Sequence, residues 1–284
     1  YGASVGVICT GLEGTYNVAL IKCINDKKKL INKYLYYFLK NKNIYDKIIS
    51  LSARAAQAGV NPKDLNEFDL PLPSIEIQNQ IVEELDGYQK IIDGCRQVID
   101  NYKPSIDIDP SWEMIELKDL CKIYTGKLNA NAAVENGKYL FFTCSKKIFK
   151  IDTYAYDCEC LLLSGNNASG NYDVKHYKGK FNAYQRTYII EIKESYLKKI
   201  NYEILKSVIE SQLSNLKNLS SGSLTKYLTL PIVKSIKTYL LPEDIIKEKT
   251  DILKKEIQTI ENNKELIKTI SSRIDDKINS IWSN

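Results

Sequence analysis

The chain has 284 residues, with 40 Lys plus Arg against 35 Asp plus Glu and a formal net charge of +5. That length can hold two domains, each with its own core, and the mild basic excess permits a nucleic-acid partner without demanding one. Seven cysteines with no Cys-x-x-Cys pair and a single histidine, His176, argue against a disulfide framework, a zinc site and most histidine-based catalysis.

Residues 1–23 alternate small, apolar and glycine residues, which predicts short strands with tight turns at Gly11 and Gly14. Lys27–Lys29 is the only dense basic run and reads as a solvated loop. Ile31–Leu39 predicts a helix whose aromatic residues pack. Ser52–Gly59 is a loop of small residues carrying Arg54 and Gln57. Pro71 and Pro73 then introduce the most strongly patterned stretch. From Ile77 to Tyr102 the apolar positions are Ile77, Ile81, Leu85, Tyr88, Ile92, Cys95, Ile99 and Tyr102, in steps of four and three that alternate from Ile81 onward. This is the spacing of a long helix that lays a narrow seam against another helix. Gly87 and Gly94 lower its helicity by about 1 kcal/mol each relative to Ala, so it needs tertiary support.

Residues 103–111 form a linker bounded by Pro104 and Pro110. Trp112 opens a new segment that predicts a strand, a short helix and a turn at Gly126. Strand-like runs follow at Tyr139–Cys144, Cys160–Leu163, Tyr184–Ile192 and Tyr227–Val233, with a helix over about Tyr202–Asn215 and loops at Ser164–Tyr172 and Ser220–Ser223. Cys158 and Cys160 would share one face of a strand and read as buried small residues. From Ile246 to Trp282 a second seam runs through Leu253, Ile257, Ile260, Ile267, Ile274, Ile278 and Ile281. Thr250, Lys264 and Ser271 fill its remaining positions.

An internal repeat underlies this order. Gly14-Thr15-Tyr16-Asn17 matches Gly179-Lys180-Phe181-Asn182, and Ile31–Leu35 resembles Ile200–Leu205. Leu72-Pro73 matches Leu241-Pro242, and one long helix matches the other, all at an offset near 165 residues. Trp112 to about Leu161 has no counterpart, because its match would precede Tyr1. The expectation is a chain that starts inside its first repeat and forms the C-terminal part of a larger protein.

These residues resemble the specificity subunits of type I restriction–modification systems, in which a strand-rich domain, a Pro-Leu-Pro signature and a long spacer helix occur twice. The signature stands here as Leu70-Pro71-Leu72-Pro73-Ser74-Ile75-Glu76-Ile77-Gln78-Asn79-Gln80-Ile81-Val82-Glu83-Glu84-Leu85-Asp86, with Ile77 separating the usual Glu-Gln pair. The second copy keeps little beyond Leu241-Pro242. Trp112-Glu113, Leu117, Leu120 and Gly126-Lys127 look like the family's domain opening, and Gly179–Ala183 and Gln185–Thr187 like its central strands. The resemblance implies an α+β fold: tandem target-recognition domains with small mixed or antiparallel sheets, joined by two long antiparallel coiled-coil-like helices. The corresponding divisions are 1–74, the later part of the first recognition domain; 75–103, a spacer helix; 104–111, a linker; 112–242, the second recognition domain; and 243–284, the second spacer helix. It further implies sequence-specific recognition of double-stranded DNA that directs adenine-N6 methylation. The partners are then an adenine methyltransferase domain or subunit and a restriction subunit, in the cytoplasm, at the nucleoid. The same arrangement occurs fused behind a methyltransferase in type IIG-like enzymes, and the abrupt opening favours that form over a separate subunit. A coiled-coil scaffold that binds protein is the rival from another class.

No catalytic residue, metal ligand or cofactor site is expected within these residues; S-adenosylmethionine would bind the upstream domain or partner subunit. Asp109-Pro110-Ser111-Trp112 resembles the adenine-holding (Asn/Asp)-Pro-Pro-aromatic motif but lacks the second Pro and reads as linker. Binding duplex DNA needs Lys, Arg, Ser and Asn at phosphates and Arg, Gln, Asn or Lys at base edges. Those types gather in the loops: Arg54 and Gln57; Lys146 and Lys147; Ser164, Asn166, Asn167 and Ser169; Gln185 and Arg186; Ser220, Ser221, Ser223 and Lys226.

Overall fold

The computed structural model describes residues 5–53, 59–66 and 68–282. The chain divides into two compact units, residues 1–102 with 260–284, and residues 103–259.

In the first unit, α1 (Asn32–Lys40), α2 (Lys42–Ser52) and α3 (Pro62–Leu65) precede the long helix α4 (Ile75–Asn101). Asn61 caps α3 reciprocally with Asp64, and the Ser74 hydroxyl accepts from the Ile77 backbone N–H at the start of α4. The expected short strands are absent among the described residues before α1. A strand needs neighbours to take its backbone hydrogen bonds, and no ladder forms among these residues. Val18 is instead 93% exposed.

The second long helix, α9 (Glu243–Trp282), is divided between the units. Its last part packs Ile274, Ile278 and Ile281 into one apolar cluster with Ile81, Val82 and Leu85 of α4 and Tyr34 and Tyr37 of α1. Lys277 of α9 pairs with Glu84 of α4 at 2.6 Å. Along α4 the buried positions are Gln78, Ile81, Val82, Leu85, Ile92 and Cys95. Ile77 and Tyr102, both expected in the seam, are exposed. Along α9, Ile270 is buried and Asn263 half-buried where Ser271 and Lys264 were expected, and Ile257 is exposed.

The second unit is built on a six-stranded mixed sheet. Its strands are β2 (Cys121–Thr125), β3 (Tyr139–Phe142), β4 (Phe149–Ile151), β5 (Tyr156–Ser164), β7 (Val174–Ala183) and β8 (Thr187–Ile192), in the spatial order β2-β8-β5-β7-β3-β4. Only β3 and β7 are parallel. Two small ladders flank it: β1 (Met114–Glu116) with β10 (Lys237–Tyr239), and β6 (Asn166–Asn167) with β9 (Lys226–Tyr227). The helices of this unit are α5 (Leu117–Leu120), α6 (Tyr202–Ser211), α7 (Leu213–Leu219) and α8 (Leu230–Lys234). The run read as a strand over Tyr227–Val233 becomes helix at Leu230, because Pro231 sits in the first turn, where its missing N–H costs nothing and its fixed φ suits a helix.

Both faces of the sheet are apolar, which explains why Leu161-Leu162-Leu163 and Ile189-Ile190 show no alternation. Leu161, Leu163, Ile190 and Ile192 pack with Ile204, Leu205 and Ile209 of α6 and with Leu253. The other face holds Phe142, Cys160, Leu162, Phe181, Ala183 and Ile189, with Cys158 and Tyr124 beside them. Among the described residues no helix joins this second cluster; the sheet curls over it. The extension of β2 bridges Leu128 to Tyr184, just after β7, although β2 and β7 stand three places apart in the sheet. Gly126 permits this closure, since a Cβ there would lie 2.1 Å from the Ala183 carbonyl oxygen.

Candidate nucleic-acid interface

The curl brings five segments of the second unit together: 125–131, 143–147, 164–173, 184–187 and 217–227. Backbone hydrogen bonds do most of the joining. The tight turn after β7 is held from three sides, with Tyr184 N–H donating to Phe142 O, Gln185 N–H to Leu128 O and Gly165 N–H to Arg186 O, all at 2.8–2.9 Å. The Cys144 thiol donates to Arg186 O at 3.3 Å. Leu228 N–H donates to Gly165 O at 2.8 Å, and Asn167 stands opposite Lys226 in the β6–β9 ladder. A Cβ on Gly165 would lie 2.3 Å from Arg186 O, so glycine is what lets this loop meet the turn. Beside the turn is an open pocket of about 300 Å³ lined by Thr125, Gly165, Gln185, Arg186, Tyr188 and Leu228.

The residues singled out in the sequence divide by orientation. Lys146, Lys147, Gln185, Arg186 and Ser223 are exposed, and Asn166, Ser221 and Lys226 half-buried. Gln185 is steadied by a hydrogen bond from its amide to Asn129 Oδ1 at 2.9 Å. Ser164 and Ser220 are buried, contrary to their reading as contact residues. The Ser164 hydroxyl accepts from Asp173 N–H at 2.7 Å, and that of Ser220 donates to Lys217 O at 2.6 Å. They shape loops and do not face solvent. Asn167 accepts from the N–H and hydroxyl of Ser169 and from Asn171 N–H, so these two side chains are engaged in closing their own turn. Arg54 and Gln57 lie outside the described residues. His176 bonds Glu159 at 3.0 Å and stacks on Tyr202, which places it in packing.

Three further cations, which sequence patterning does not single out, join the cluster. Lys127 and Lys217 are exposed on the same segments, and Lys175 pairs with Asp173 while donating to Ser145 O. Isolated lysines in a lysine-rich chain carry no local signal; only the closure of the sheet groups them. Together the five segments present Lys127, Lys146, Lys147, Arg186, Lys217 and Lys226, and their one carboxylate, Asp173, is the one Lys175 neutralises. Tyr188 closes the pocket floor by donating to Leu228 O at 2.9 Å, and burial pushes its phenol above the ordinary tyrosine range.

Similarity to known proteins agrees with this architecture. The curated relatives include the EcoDI type I restriction enzyme specificity subunit of Escherichia coli, 37% identical over 168 residues, covering 57% of this chain and 35% of that protein. The MjaVIII type I restriction enzyme specificity subunit of Methanocaldococcus jannaschii is 25% identical over 150 residues, or 44% of this chain and 35% of that one. The matched region thus spans about a third of each relative's length. Among solved structures, the S subunit of a type I restriction–modification system from M. genitalium superposes with a TM-score of 0.52 at 18% identity, covering 90% of this chain and 74% of that one. A chain from a structure of type I R-M complex assembly and conformational transition gives a TM-score of 0.53 at 13% identity, covering 90% and 72%; these two likenesses show the fold. The family model for the type I restriction modification DNA specificity domain matches residues 2–100 and again 110–272, and the chain belongs to that family.

Proposed function

We propose that the chain recognises a specific sequence in double-stranded DNA and directs adenine-N6 methylation to it. The observation that carries this reading is the convergence of five loop segments whose charge is almost wholly positive, on a chain of only modest net charge. Lysines can neutralise phosphates there, while Gln185, Asn129 and Asn166 offer amides to base edges. In this reading the 112–242 region is a complete recognition domain, residues 1–74 are the later part of another, and α4 and α9 set the distance between the two halves of a bipartite site.

The methyl donor, S-adenosylmethionine, and the catalytic residues belong to a methyltransferase domain or subunit, with a restriction subunit as a further partner. The curated relatives are named specificity subunits, which supports a methyltransferase on a separate chain over one fused upstream. The cationic cluster also favours DNA over the alternative of a protein-binding scaffold, which has no need of it. The test is to purify the native protein with whatever copurifies and sequence the N6-methyladenine it places on a random-sequence plasmid library. Methylation confined to one bipartite motif is expected, and intact mass separates the fused from the separate form. Failure to retain duplex DNA would overturn the reading.

A further inference from the structure

We propose that Arg186 reads a guanine in the major groove, so that the half-site bound by the second unit contains a G·C pair specified by this side chain. The proposal rests on the DNA-recognition reading above and names one base within it.

Residue choice is the first argument. Of 40 basic residues 36 are lysine, and Arg186 is the only arginine between Lys103 and Thr259, among 23 lysines. A phosphate is satisfied by a point charge, which this chain supplies as lysine everywhere else in the unit. Guanine presents O6 and N7 side by side, and the planar guanidinium fork matches that pair bidentately. Position is the second argument. Arg186 stands on the turn whose backbone is bonded to β3, to the β2 extension and to Gly165, and reading one base requires this kind of fixed origin, which a phosphate contact does not. Availability is the third. Arg186 is exposed and has no ion-pair partner among the described residues. The one carboxylate on the surrounding segments is already held by Lys175.

The test uses the full-length protein as wild type, Arg186→Ala, Arg186→Lys and Lys146→Ala/Lys147→Ala. Each is put through binding selection from a randomised duplex library. The wild type is then titrated against its selected duplex with each guanine in turn replaced by 7-deazaguanine, which lacks the N7 acceptor. The expected result is a G·C pair in one half-site at which 7-deazaguanine weakens wild-type binding roughly 5- to 150-fold. Arg186→Ala then loses preference at that position alone and no longer responds to the analogue, and Arg186→Lys keeps most affinity with weakened discrimination. The Lys146/Lys147 variant weakens binding to all duplexes alike. The proposal is overturned if Arg186→Ala and Arg186→Lys keep every base preference, or if no guanine substitution affects the wild type. Selection of a motif by the wild type in that case would leave the DNA reading standing, whereas no duplex binding at all would remove both. The analogue series and Arg186→Lys decide the matter even if the alanine variant does not fold.

Discussion

Gln78 is fully buried in the first turn of α4, and both donors of its amide, with its oxygen, are bonded to the backbone. Its amide oxygen accepts from Ile31 N–H at 2.9 Å, and its nitrogen donates to Lys29 O and Pro73 O at 2.7 and 2.8 Å. One side chain therefore ties the entry of α1 to the Pro-Leu-Pro segment and the start of α4. Gln78→Ala strands these three backbone groups and is expected to lower stability by about 2–4 kcal/mol in chemical denaturation. Gln78→Glu is expected to be no better, because it lacks the donors. Nearby, Asp86 accepts from Tyr37 at 2.6 Å and pairs with Lys33. Burial alone would raise its pKa, but the bonds from Lys33 and Tyr37 outweigh this and hold the carboxyl below the ordinary aspartate range. A lowered folded pKa means the contribution is present above the unfolded-state value near 3.8 and disappears as pH falls through the folded value. Asp86→Asn is expected to cost about 1 kcal/mol at pH 7, discounted for the half-exposed Lys33, with the deficit shrinking in thermal melts as the pH falls through the lowered folded value. Neither partnership was legible in the sequence. Apolar identity favoured Ile77 over Gln78, although the four–three alternation itself steps back from Ile81 to Gln78, since a polar residue at a seam edge looks solvated until its partners, 47 to 49 residues away, are in place. The loop residues show the same limit: composition offered Arg186, Gln185, Ser164 and Ser220 alike and gave no way to tell the first two, which are exposed, from the serines, which are buried.

At the scale of elements, periodicity found both long helices and most of their inward faces. It missed local phase, so Ile270 replaces Ser271, and it missed short elements decided by neighbours or by Pro231. Gly87 and Gly94 are on the open face of α4, where a Cβ at either position would meet nothing within 4 Å. The double Gly87→Ala/Gly94→Ala substitution is expected to stabilise the protein by about 1–2 kcal/mol, read from the denaturation midpoint; unchanged or reduced stability would show that these faces are not open. The Glu84–Lys277 pair also bears on helix direction. A parallel course would carry α4 past the end of α9 before Ile92 and Cys95, yet both are buried, with 3% and 6% exposure. We therefore expect an antiparallel seam continuing from this contact, which sets Cys95 across from the half-buried Ile267. Ile267→Cys should form a disulfide with Cys95 under mild oxidation, visible as a mobility shift on a non-reducing gel. Leu266→Cys, on the exposed neighbouring position, should react less.

For the molecule as a whole, the repeat was visible as an offset in the sequence and reappears as two family matches, while the curl of the sheet was not visible at all. No local pattern announces that Leu128 will meet Tyr184, because the closure depends on strand order and on two glycines placed where backbones touch. The consequence for function is electrostatic: a chain whose charges nearly balance keeps its carboxylates away from where the loops converge, so that six cations face a single carboxylate there. That is the central claim, and the affinity of the full-length protein for duplex DNA across a salt series tests it most directly, wild type against Lys146→Ala/Lys147→Ala/Lys226→Ala. The account predicts steep weakening of the wild type with salt, and a log–log slope shallower in the variant by up to about 0.9 for each phosphate contact removed. A wild-type affinity indifferent to salt, or a variant slope unchanged from wild type, would contradict it.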